Sequence, residues 1–108
     1  MKIDIAKDFS KVPFGRDEKD RTEFHGKNFR TKHLLPAFRD TTEEVHVYLD
    51  GVERGYGSSF LDESFAGLIR EGIPYSDLEN RLIIHTRFSF YKEDIWDYIK
   101  EEHTGQEA

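Results

Sequence analysis

Hydrophobic positions along the chain switch between two periods, alternation and a spacing near 3.6, and each switch marks an element. Ile3 and Ile5 alternate with Lys2 and Asp4, which predicts a short opening strand, with Phe9 as a core anchor. From Lys11 to Glu23 the composition is Pro, Gly and charge around Phe14, so this stretch reads as a loop. Gly26 to Thr41 places Thr31, Leu34, Leu35 and Phe38 on one helical face, and Pro36 predicts a kink or break near His33. Phe29 falls off that face. Val45, Val47 and Leu49 alternate with polar or amphipathic residues, giving a strand from Glu44 to Asp50.

Asp50 and Gly51 end that strand, since both residue types disfavour strand interiors. Gly51, Gly55 and Gly57 then let the loop take positive φ at several points. Phe60, Leu61, Phe65, Leu68 and Ile69 line one face of a helix from Ser59 to Glu71. Gly72 is placed as its C′ residue and Pro74 as its stop. Tyr75 to Asn80 reads as a connector. In the strand from Arg81 to Thr86, Leu82, Ile83 and Ile84 are consecutive, as in a strand buried on both faces. Phe88 and Phe90 either extend that alternation or lead into the last helix, Glu93 to Glu102, with Ile95, Tyr98 and Ile99 on one side.

The order strand, helix, strand, helix, strand, helix predicts an α/β sandwich of three to four mostly parallel strands with about three helices, βαβαβα. Residues 1–103 form one domain and residues 104–108 a polar tail with no reason to order. So few strands leave open sheet edges, through which a second copy could pair as a homodimer.

Charge and composition narrow the function classes. A net charge of −6 argues against nucleic acid or an anionic membrane as the main partner. The absence of cysteine removes disulfides, thiolate nucleophiles and Cys-based zinc sites. Nine Phe, five Tyr and one Trp supply the apolar area that a disordered chain lacks. No run of about eighteen apolar residues and no signal design is found, so a soluble, cytoplasmic protein is expected. The basic residues between Arg16 and Lys32 read as a solvated surface, the alternative being a docking patch for an acidic partner or a phosphate.

The chemistry concentrates at Ser58 and Ser59. Either serine can cap the helix, and Ser59 with Asp62, followed by Glu63, resembles a capping box. The other reading is a hydroxyl that carries or contacts a phosphate, because free amides and the macrodipole at a helix N-terminus favour an anion. Phosphorylation there would add nearly two negative charges, opposed by Asp62 and Glu63, so a modified form would be a switch state.

A nucleophilic set would need Ser58 or Ser59 with His46 or His85 as base and Asp50 as orienter. GYGSSF lacks the Gly-x-Ser-x-Gly elbow, and both histidines fall within strands. No Gly-Lys-Ser/Thr phosphate loop and no metal-ligand spacing of histidines is present. The sequence therefore reads as non-catalytic, with no cofactor and no metal.

Strand, glycine loop, Ser-Ser and helix together resemble the centre of the STAS domain of bacterial anti-sigma factor antagonists. LDGVERGYGSSFLDESFAGLIR, with GKNFRTKHLLP upstream, is still more similar to a STAS-like family of small uncharacterised bacterial proteins. The resemblance spans roughly Ile3 to Ile99. It implies a regulatory, protein-interaction module whose Gly51–Phe65 loop and helix dock a partner of the GHKL ATPase or kinase type. It puts Ser59 on the phospho-acceptor position and Ser58 on the serine before it. Gly57 stands where the STAS motif has aspartate, and Phe60 where it has glycine. The site residues implied are Ser59, Ser58, Gly57, Gly55, Asp50, Asp62 and Glu63. The alternative is a phosphate or nucleotide sensor that uses the helix N-terminus at Ser58–Ser59, and a small hydrolase ranks last.

Overall fold

Three strands lie side by side in sequence order and all run parallel: β1 (Lys2–Asp4), β2 (Val45–Tyr48) and β3 (Leu82–His85). The computed structural model that shows this describes residues 1–107. Ile3 is in register with Val47, and Val47 with Ile84. Side chains alternate across a strand, so Ile3, Val45, Val47, Leu82 and Ile84 share one buried face. Lys2, Asp4, His46, Tyr48, Ile83 and His85 take the other face, where every one keeps some exposure. Ile83 thus corrects the expectation of a strand buried on both sides. The helices pack on one face of the sheet in a single continuous core.

Ile5 does not extend β1. Asp4 caps a single wide turn, Ile5–Phe9, by accepting from the Lys7 amide at 3.2 Å, and Ile5 is buried beneath it. After a loop containing one 3₁₀ turn, Glu18–Asp20, helix α1 occupies residues 26–40. It is built from Gly26–Phe29, a wide turn Arg30–Leu34 in which the Leu35 amide reaches back to the Arg30 carbonyl, and Leu35–Asp40. The break expected near His33 takes this form, because Pro36 has no amide to donate and the ladder before it widens. Phe29, expected off the helical face, is fully buried. Residues five apart sit roughly 140° apart on a regular α-helix. The wide turn brings Phe29 and Leu34 closer to one side, and Phe29 stacks on Phe60 with ring centroids 5.9 Å apart.

Helix α2 covers residues 58–70 as Ser58–Leu61, a second wide turn Asp62–Ala66, and Gly67–Arg70. It ends as its sequence predicts. Gly72 has φ +95°, its amide bonds Ile69 O at 3.0 Å, and the Ile73 amide bonds Leu68 O at 3.0 Å, a Schellman closure.

The stretch expected as a connector is helix α3, Tyr75–Arg81, with Leu78 fully buried. Arg81 at its end donates to the carbonyls of Phe38 (3.1 Å), Thr41 (2.7 Å) and Glu43 (2.9 Å), which ties it to the end of α1. Helix α4 runs from Ser89 to Glu107 and buries Ile95 and Ile99. Residues 104–107, expected as a tail beyond the domain, are its last turns. His103 stacks on Tyr75 at 4.3 Å, and the Gln106 amide reaches Ile69 O at 3.5 Å. Ala108 lies outside the described residues. Among those residues no helix is long and apolar enough to cross a membrane.

Candidate functional site

The loop between β2 and α2 is fixed at both ends. The Asp50 carboxylate accepts from the Thr86 hydroxyl and the Arg87 amide, each at 3.1 Å, so it locks the exit of β2 to the exit of β3. Gly51 and Gly55 take positive φ, +104° and +74°, as the glycine pattern requires. A Cβ at Gly55 would run into the Tyr91 hydroxyl, which accepts from the Tyr56 amide at 3.1 Å. Tyr56 in turn donates its hydroxyl to Leu49 O, and burial pushes its phenol well above the usual tyrosine range. Gly57 differs from the other two: its φ is −84° and open space surrounds it.

Gly57, not a serine, is the N-cap of α2. Ser58 and Ser59 are its first two helical residues, both exposed, and no side chain caps the end. The expected capping box is therefore absent, because the helix starts at Gly57 and leaves Asp62 five residues beyond the cap, where it faces arginines instead. Asp62 pairs with Arg16 at 2.8 Å and Arg70 at 3.1 Å. Glu63 pairs with Arg16 at 2.9 Å, Arg30 at 3.2 Å and Arg70 at 3.4 Å. The hydrogen bond to Asp62 leads the interactions that raise the Arg16 pKa. Both carboxylates, expected to face a phosphoserine, are thus already neutralised by guanidinium groups from three parts of the chain. Ser64, on the same helix, is fully buried and donates to Gly26 O at 3.4 Å, which leaves Ser58 and Ser59 as the accessible hydroxyls of this segment.

The structure brings Gly55, Gly57, Ser58 and Ser59 to one rim and uses Asp50, Asp62 and Glu63 to hold that rim in place. Arg16, Arg30, Thr86 and Tyr91, which do the holding, carry no local sequence signal for it. Gly67 is the exception: an interior helical glycine on an otherwise good helix former costs about 1 kcal/mol. It signals a close approach, here by Arg30.

The nucleophilic set is not assembled. His46 Nδ1 and His85 Nε2 lie 2.8 Å apart and bond to each other, and His46 Nε2 faces Glu44 at 3.3 Å. Asp50 is held by Thr86 and Arg87. Among the described residues no group of three or more His, Asp or Glu side chains could hold a metal ion.

Two depressions flank the loop. One, of about 310 Å³, lies between residues 50–56 and Arg87, Phe88 and Tyr91. The other, of about 500 Å³, lies between residues 53–57 and Val12, Pro13 and Phe14. Phe14 and Phe88 in their walls are 63% and 41% exposed, and Phe90, 52% exposed, packs on Phe88 at 5.7 Å.

Residues 25–86 match the family described as STAS-like domain of unknown function (DUF4325), a span that begins at the N-cap of α1 and ends just past β3. Neither the curated proteins nor the solved structures contain a match to the chain. The matched span holds α1, β2, the glycine loop, α2, α3 and β3, which is most of the sheet and the whole serine rim. The chain therefore belongs to the STAS-like domain family.

Proposed function

We propose that the chain is a non-catalytic regulatory module that docks a protein partner through residues 51–65 and is switched by a phosphate on Ser59. The observation that supports this most is the exposure of both hydroxyls at the start of a helix whose loop is clamped at Asp50 and Tyr56. Free amides at that end favour added negative charge. Arg16 and Arg70 already neutralise Asp62 and Glu63, so the repulsion expected from those carboxylates is reduced. By resemblance, the partner is an ATPase or kinase of the GHKL type.

Quantitative capture with three baits tests the reading: the natural chain, Ser59→Ala and Ser59→Asp. A partner held by the first two and depleted about tenfold or more by Ser59→Asp, with the melting temperature unchanged, is the expected result. Equal capture by all three baits contradicts it. The lack of a side-chain cap at Gly57 also suits a second reading, a phosphate or nucleotide sensor at the same amides. A thermal shift with inorganic phosphate or ATP that Gly57→Val abolishes would favour that reading over docking.

A further inference from the structure

We propose that the outer edge of β3 pairs with the same edge of a second copy of the chain, antiparallel about a two-fold axis at Ile84, so that two three-stranded sheets become one. In the parallel ladder with β2 the His85 carbonyl accepts from the Leu49 amide at 3.0 Å, so Ile83 and His85 direct their backbone groups to β2. Leu82, Ile84 and Thr86 therefore direct theirs to the outer edge. The Leu82 amide is taken by Leu78 O at the end of α3. Among the described residues the Leu82 carbonyl and the amides and carbonyls of Ile84 and Thr86 have no hydrogen-bond partner. Water reaches only 4% of the Ile84 surface, so its peptide groups are poorly hydrated as well as unpaired. Backbone groups in that state are costly and rare, and a neighbouring strand relieves them.

These free groups complement one another. With Ile84 opposite Ile84 of the second copy, the two residues exchange amide-to-carbonyl bonds, and each Thr86 amide meets the Leu82 carbonyl across the axis. Only the Thr86 carbonyl is left to water, because the Leu82 amide opposite it is already engaged. On the uncovered face of the sheet the same register sets Ile83 opposite His85 of the second copy. That contact extends the row in which His85 stacks on His46 at 5.1 Å and on Tyr48 at 4.3 Å. Arg81 and Arg87 come opposite each other beyond the strand ends, but the Arg81 guanidinium is turned away to the Phe38 and Thr41 carbonyls. The other edge of the sheet is closed. Lys2 on β1 is exposed, the Asp4 amide is held by the Asp8 carboxylate at 2.7 Å, and the wide turn follows at once. Residues 82–86 carry none of the usual guards of an edge strand, neither Pro nor Lys nor a bulge. The sheet-edge homodimer expected from so few strands thus falls to β3.

Sedimentation velocity from about 5 to 500 µM tests the pairing, since an edge this short gives a reversible dimer. The natural chain should pass from monomer to dimer across that range. Ile83→Lys puts a charge beside the edge at a partly exposed position and should keep the chain monomeric, with the melting temperature within about 4 °C. A natural chain that stays monomeric throughout, or a dimer of unchanged strength in Ile83→Lys, overturns the proposal. The register is read separately by oxidising single-cysteine variants, because the chain holds no cysteine of its own. A mixture of Ile83→Cys and His85→Cys should form its mixed disulfide about tenfold or more faster than either variant couples to itself, since 83 and 85 face each other across the axis. Equal rates for the mixture and for each variant alone would also overturn it.

Discussion

Arg30 passes across α2 at Gly67, and its guanidinium fills the space that a side chain at position 67 would take. From there it bonds the Glu63 carbonyl and carboxylate and reaches Glu71 at 3.5 Å. Its side chain is only 7% exposed, so α1 and α2 are joined by a buried cation lodged at a helical glycine. Glu63 is the hub: it also receives Arg16 and Arg70. The rim that carries Ser58 and Ser59 thus inherits its position from an ion network one turn further along the same helix.

Gly67→Ala should therefore destabilise the fold although alanine is the better helix former. Helix propensity alone predicts a gain of about 1 kcal/mol. Overpacking against the Arg30 stem, whose Cδ would lie 3.0 Å from the new Cβ, is expected to reverse this to a loss of about 1–2 kcal/mol. Urea unfolding of the two proteins decides the sign.

Arg16→Ala should act on dynamics more than on stability. The Arg16 side chain is 40% exposed, so its ion pairs with Asp62 and Glu63 are worth no more than about 1 kcal/mol. Those pairs, with the Gly26 amide on Gly15 O and the Lys27 amide on Arg16 O, hold the loop before α1 against α2. Hydrogen exchange should quicken across residues 14–25 in the variant while the unfolding midpoint moves little.

The loop glycines should behave in opposite ways. Gly55→Ala places a methyl group against the Tyr91 hydroxyl at φ +74° and should cost about 1–3 kcal/mol. Gly57→Asp, at φ −84° in open space, supplies the side-chain cap that α2 lacks and should raise stability by a few tenths to about 1 kcal/mol. Thermal melts of both variants check the pair.

His33 gives the fold an acid sensitivity of known sign. Burial lowers its pKa against the Phe9 and Phe29 rings, 5.8 and 5.7 Å away, with Asp8 opposing and Lys32 assisting. A folded pKa below the unfolded value means that the unfolded state binds the proton first. The stability from this residue is complete above the unfolded pKa, about 6.5, and is lost as pH falls through the folded value. His33→Gln should flatten the fall in melting temperature between about pH 7 and pH 5.5.

The part of the fold that is legible in the sequence is the part whose signals are local. Val45, Val47 and Leu49 alternate, the glycines follow, and Phe60 to Ile69 keep a helical period, so strand, loop and helix stand where the pattern puts them. Gly72 and Pro74 end α2 for reasons contained in their own backbones. Helix α3 was hidden because Leu78 is the one aliphatic residue among its seven. The serine cap was misassigned because the backbone enters the helix at Gly57, two residues before Ser59, and an apolar period does not fix where the first turn begins. Ile83 read as buried because three aliphatic residues in a row look alike, whichever face a helix later covers.

A photo-crosslinking residue placed at position 59, and a second chain carrying it at position 46 on the open face of the sheet, give the most direct test of the docking surface. Illumination in the native cells should join a partner to the chain labelled at 59 and leave the chain labelled at 46 without that adduct. The same adduct from position 46 and none from position 59 would contradict the account, because the partner would then sit on the sheet and not on the serine rim.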